Sequence, residues 1–215
     1  MRDCYTYEGT KVKSGKPRSK GGVFGIGIND VDGVVYQKNS EGVYAVDPFY
    51  YKWKKMLERV YYKKCHNLQP NYLGITLHEP WLRFSTFKNW MLDHQWEGKE
   101  LDKDLLGDGT LYSPDTCCFV YDKTNNFLKT PKMKGRDPSL PIGVTLRYGK
   151  FVATISDFTV SKTLSLGTFD NPMDAHLAWL SNKRRLAYLL ADMEHDPRVK
   201  EALRGRYKES LWDGS

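Results

Sequence analysis

Apolar and polar residues alternate in three short runs near the C-terminal end of the chain. GVTLRY (143–148) and KFVATIS (150–156) flank a turn at Gly149, and TLSLGTF (163–169) follows. Alternation of period two predicts three strands with one apolar face. Val144, Leu146, Val152, Ile155, Leu166 and Phe169 are the expected core of that sheet. Asp170 and Asn171 offer an N-cap and Pro172 a first helical position, so a long helix is expected to run on to about Leu190.

Helical spacing dominates further upstream. Asp47 and Pro48 open a helix in which Tyr50, Trp53, Met56, Val60 and Tyr61 recur on one face, with Lys54, Lys55, Glu58 and Arg59 on the others. A second helix is expected near Pro80, carrying Trp81, Phe84, Phe87 and Met91, and NYLGITLHE (71–79) between the two reads as a loop and a short strand. Gly22 to Tyr36 is strand-like and punctuated by glycine, which suits a turn-rich strand pair. Its GxGxND run lacks the helix and third glycine of a dinucleotide loop. Residues 1–22 are rich in Lys, Arg, Gly and Ser and read as a flexible basic arm or a solvated tail. Asp196 and Pro197 start a last helix with Arg198, Lys200, Arg204, Arg206 and Lys208 spread round it, a pattern open to phosphate tracking or to simple solvation.

Charge sharpens this picture. Lys and Arg number 33 against 26 Asp and Glu, a net charge of +7, which favours a polyanionic partner such as nucleic acid. With 215 residues, 40% of them hydrophobic, the chain can bury a core and fold as one or two domains. It contains no apolar run of about 18 residues, and its N-terminus lacks a hydrophobic signal region, so a cytoplasmic protein without membrane contact is expected. The four cysteines form no disulfide framework. Cys65, His66, His78, Cys117 and Cys118 invite comparison with zinc sites, yet CH and CC pairs lack Cys-x-x-Cys geometry, and buried free thiols are the expectation.

The order GV, GKFVATIS, LGTFDN, DAHLAW resembles the DNA-binding domain of plant ethylene-response factors, which also occurs at the C-terminal end of phage-borne HNH endonucleases. In that family the sheet enters the major groove. The resemblance therefore implies that Arg147, Lys150, Thr154, Lys162 and Ser165 point at double-stranded DNA, with the bland alternative a plain antiparallel sheet on a helix. Lys129, Lys132, Lys134 and Arg136 before the sheet and Lys183, Arg184 and Arg185 after it extend the positive charge.

ELDKDLLGDGTLYSPDTCCFVYDKTNNFL (100–128) reads as strand, loop, strand, helix, the layout of a ββα-metal nuclease finger. Together with WKKMLERVYY and NYLGITLHEPWLRFSTFKNWM it resembles phage HNH-type homing endonucleases. That resemblance implies one divalent ion, Mg2+ or Mn2+, held against the scissile phosphate. Asp102 matches the acidic position of the HNH motif; Asp104, two residues along the same expected strand, and Asn125 on the helix complete a candidate ligand set. The chain departs from the motif where it matters most, because Lys103 stands in place of the catalytic histidine and Thr116 in place of the central Asn. Lys103 would act as a base only if strongly desolvated, and His78 is the alternative base or a structural residue. The competing reading of Asp102 and Asp104 is that they are surface carboxylates paired with Lys99 and Lys103.

The expected architecture is α+β: a ββα-metal (HNH-like) nuclease domain at 23–135, then a three-stranded antiparallel sheet packed on a helix at 136–215. The expected function is metal-dependent cleavage of double-stranded DNA. The alternatives are a non-catalytic DNA-binding protein of HNH descent and a phage protein that inhibits a host protein.

Overall fold

The structure is a computed structural model that describes residues 22–33, 35–38, 44–129 and 137–207. It is mixed α+β, and the described residues divide into two compact units. One holds the described residues up to His94 together with Thr110–Pro114; the other holds Gln95–Gly109 and the described residues from Asp115 onward.

In the first unit, strands β1 (Tyr36–Lys38) and β2 (Tyr44–Val46) pair antiparallel and lead into helix α1, Pro48–Tyr61. The expected cap is present: the Asp47 carboxylate accepts from Phe49 N at 2.8 Å and Tyr50 N at 3.2 Å, and Pro48 occupies the first turn, where its missing N–H costs nothing. Tyr50, Trp53, Met56, Leu57 and Val60 form its buried stripe. Helix α2 (Lys63–Leu68) and strand β3 (Thr76–Leu77) follow, and β3 pairs in parallel with a strand numbered β5 below, Leu111–Tyr112.

The aromatic helix expected from Pro80 is two pieces. A 3-10 turn spans Glu79–Leu82 and helix α3 spans Phe84–Leu92, with Arg83 extended between them. The break has a tertiary cause. Ile28 N donates to Leu82 O at 2.8 Å and Phe84 N donates to Ile28 O at 2.9 Å, so the Ile28 backbone takes bonds that a continuous helix would have made internally. Trp81, Phe84, Phe87 and Met91 are nonetheless all buried, and Trp53 Nε1 donates to Trp81 O at 2.7 Å.

The second unit begins with β4 (Lys99–Asp102) paired antiparallel with β6 (Cys118–Tyr121), followed at once by helix α4, Asp122–Leu128. The expected order of strand, loop, strand and helix is therefore present. Strands β7 (Val144–Arg147), β8 (Lys150–Asp157) and β9 (Lys162–Phe169) form the three-stranded antiparallel sheet, and helix α5 (Pro172–Met193) packs on it. Of the two candidate caps it is Asn171 that accepts from Met173 N, at 2.7 Å. Gly143 enters the sheet with φ +85°, and a Cβ there would lie 2.1 Å from Trp179 Cγ, so only glycine lets α5 approach this closely. Helix α6 (Pro197–Gly205), capped by Asp196, closes the unit.

One core joins these parts. Leu105, Cys118, Val120 and Phe127 share it with Ile155, Trp179, Leu186, Leu190, Val199 and Leu203. The divide expected at residues 135/136 therefore falls inside this unit. A buried polar clip runs alongside: Glu194, just past α5, accepts from Thr124 Oγ1 at 2.6 Å and Tyr121 N at 3.1 Å, and Lys99 Nζ lies 3.7 Å from its other oxygen.

Candidate nucleic-acid interface

Register decides which side chains share the face of the sheet away from α5. Arg147 is opposite Lys150, Val152 lies between Thr145 and Thr168, Thr154 is opposite Ser165, and Ser156 is opposite Thr163. Paired residues point to the same side, while Val144, Ala153 and Ile155 are buried toward α5. The outer face thus holds two basic residues, six hydroxyl side chains and one valine, with no carboxylate among them.

A β-bulge makes this possible. The pairing shifts between Ala153 and Thr154, leaving Leu166 as the extra residue of β9. Leu164 and Phe169 then stay on the α5 side with Leu166, while Ser165 and Thr168 both face out.

Four of the five sheet residues expected to face DNA, Arg147, Lys150, Thr154 and Ser165, lie on this outer face. Lys162 does not. It pairs with Asp157, whose carboxylate is buried on the α5 side and bonded to Arg185 at 2.6 Å, so the register carries Lys162 to the wrong face. Val152, expected in the core, is on the outer face and only half-buried, and Leu146 is exposed at the edge strand. Lys132, Lys134 and Arg136 lie outside the described residues. The basic run on α5 serves the unit itself: Lys183 Nζ donates to Phe127 O at 2.8 Å and Arg184 Nε to Tyr207 O at 3.0 Å. Lys150 is ion-paired with Asp170 at the rim.

One residue at this face escaped sequence reasoning. Tyr148 and Gly149 form the two-residue β7–β8 turn with φ of +49° and +74°, the signature of a type I′ hairpin. A non-glycine residue at positive φ is uncommon, and Tyr148 is 105% exposed between Arg147 and Lys150. A Tyr-Gly dipeptide between two alternating runs was the available signal.

The loop after β4 has different chemistry. The strand ends at Asp102, so Asp104 is not the next residue along one strand face, as had been expected. Asp102 is 8% exposed, and its Oδ1 accepts from Asp104 N at 2.9 Å and Leu105 N at 2.8 Å, a local bond pattern that terminates the strand. Burial raises its carboxyl above the ordinary range, with the Leu105 N–H pulling the other way. Lys103 is 5% exposed and its ammonium donates to Asp104 Oδ1 at 2.6 Å and to Gly109 O at 2.7 Å. Gly109 has φ +80°, and a Cβ there would lie 2.5 Å from Asp104 Oδ1.

These donors do not fit Mg2+ or Mn2+ as the strand reading required. Asp102 spends one oxygen on its own loop, and the cation beside Asp104 is the Lys103 ammonium. The expected pairing of Asp104 with Lys103 is thus realised, whereas Lys99 pairs with Glu194. Asn125 is half-buried on α4. His78, the alternative base, belongs to the first unit, where its backbone N donates to Tyr112 O at 2.8 Å. Cys117 and Cys118 are buried free thiols, and burial pushes the Cys118 thiol up.

No protein-family model, curated protein or solved structure matches the chain. Among the described residues no helix is long and apolar enough to cross a membrane.

Proposed function

We propose that this protein binds double-stranded DNA through the outer face of the β7–β8–β9 sheet and does so without cleaving it. One observation carries the reading: nine strand side chains share that face, none of them acidic, and the carboxylate at its rim, Asp170, is held by Lys150. Arg147, Lys150 and the Tyr148 tip meet at one end of it. Hydroxyls there both donate and accept, which suits base edges and phosphate oxygens alike. Three strands at about 4.8 Å spacing make a ridge about 10 Å across, close to the major-groove width of about 12 Å. The net charge of +7 adds long-range attraction.

Cleavage at the β4 loop is the second reading. The order β4, β6, α4 favours it, and Lys103 opposes it, because it stands where the motif has its histidine and its Nζ is engaged with Asp104 Oδ1 and Gly109 O.

Mobility-shift titration of the full chain tests the proposal. Duplex DNA is expected to shift at low salt, with affinity falling steeply as salt rises. Arg147→Glu should weaken binding at least about tenfold, whereas Lys63→Glu with Lys64→Glu, on a short helix of the first unit, should change it far less. Equal losses would point to diffuse electrostatics, and absence of a shift at low salt would overturn the proposal.

A further inference from the structure

The middle of the outer face has an aliphatic residue, Val152, where a surface strand would ordinarily be polar. Thr145, Val152 and Thr168 make one cross-strand row over all three strands, flanked by the Arg147–Lys150 row on one side and by Thr154 and Ser165 on the other. Val152 has no hydrogen-bonding group, and the Thr145 hydroxyl donates to the Val152 carbonyl at 3.5 Å, turned back on its own sheet. What the row offers outward at its centre is therefore the methyl groups of Val152 and Thr145, with Thr168 adding a methyl and a hydroxyl at the β9 end. Val152 is not among the buried positions of β8, which are Ala153, Ile155 and Asp157.

In the major groove the base edges present donors, acceptors and a single kind of apolar group, the 5-methyl of thymine. A methyl row seated between polar and basic rows matches that group and no other part of the groove. We infer that the Thr145–Val152–Thr168 row is a thymine-methyl contact, and that the sheet selects sites in which A·T pairs lie under its middle. This rests on the proposed groove reading and names the base class it selects.

Removing the methyl from DNA while leaving every hydrogen-bonding group in place isolates the effect. Fragments of identical sequence made with dTTP or with dUTP are titrated with the full-length protein at low salt. The thymine fragment is expected to bind more tightly, by about fourfold for each methyl contact. Val152→Ser should bring the thymine-to-uracil ratio close to one, and Thr168→Ser, which removes a single methyl at an exposed position, should lower it. Equal binding of both fragments by the unmodified protein overturns the inference and leaves groove binding standing. An undiminished ratio in Val152→Ser also overturns it, because the discrimination would then lie elsewhere. If neither fragment shifts, both the inference and the DNA-binding reading fall.

Discussion

At the scale of single residues, Lys103 separates the two readings of the β4 loop. Its ammonium is buried and bonded to Asp104 Oδ1 and Gly109 O, so it holds the loop closed over Gly107–Gly109. Lys103→Met would leave that carbonyl short of a partner, a loss of about 1–3 kcal/mol. A lower Tm with an unchanged mobility shift is the expected result. Supercoiled plasmid should stay intact with Mg2+ or Mn2+, for the natural chain and for Lys103→His alike. Nicking by the natural chain that is lost in Asp102→Ala would overturn the non-catalytic reading. Legibility at this scale followed locality. Asp102 could be seen as an acidic residue on a strand, but the end of that strand at Asp102 and its turn back onto Leu105 N could not, because only the folded loop brings that N–H within reach.

At the scale of elements, the caps were legible and the faces largely so, with exceptions at Lys162 and Val152. Asp47–Pro48, Asn171–Pro172 and Asp196–Pro197 each begin a helix where their chemistry says one should begin, and the strands flanking Tyr148–Gly149 end within a residue of their alternating runs. The insertion of Ile28 between Leu82 and Phe84 depends on a partner distant in sequence, which is why the Pro80 helix was misplaced. Lys162 and Val152 follow plain alternation, Lys162 three residues from the outward Ser165 and Val152 two from the outward Lys150 and Thr154, whereas the bulge at Leu166 is what brings Thr168 outward with Ser165. Lys183 joins α5 to the end of α4 by donating to Phe127 O, and its Nζ sits 3.5 Å from the centre of the Phe127 ring. Burial, with the Arg206 charge adding to it, lowers its pKa to about 8. Below that pH the amine is charged in both folded and unfolded states. Between about 8 and the ordinary 10.5 the folded form has released its proton while the unfolded form still holds it. The unfolded state then binds more protons, so this group makes stability rise with pH across that window. Relative to Lys183→Met, the natural chain should gain stability from pH 7.5 to pH 10, by at most about 3 kcal/mol. Thermal melts of both proteins at the two pH values measure it, and a constant difference would refute the assignment.

At the scale of the whole molecule, the sheet that carries the candidate interface is not self-sufficient. Its core is completed by Leu105, Cys118, Val120 and Phe127, residues that sequence patterning had assigned to a separate nuclease domain. Periodicity reveals which face of an element is apolar but not which other element will cover it, so the boundary at 135/136 was a reasonable place to cut and falls within a shared core. Glu194 makes the dependence sharper. Its carboxylate is 2% exposed and its partners are Thr124, Tyr121 and Lys99, all upstream of that cut. A fragment beginning at Pro138 would therefore expose Leu186, Leu190 and Leu203 to water and strand the Glu194 charge without its partners. A fragment spanning 95–215 keeps both the core and the clip. The longer fragment is expected to melt cooperatively and to shift duplex DNA. The shorter one should bind a hydrophobic dye, lose near-ultraviolet dichroism and bind DNA weakly, because an unfolded sheet cannot present Arg147, Val152 and Ser165 on one face. Cooperative melting and full DNA affinity in the 138–215 fragment would show that the sheet and its helix stand alone and that the shared core adds nothing essential to the interface.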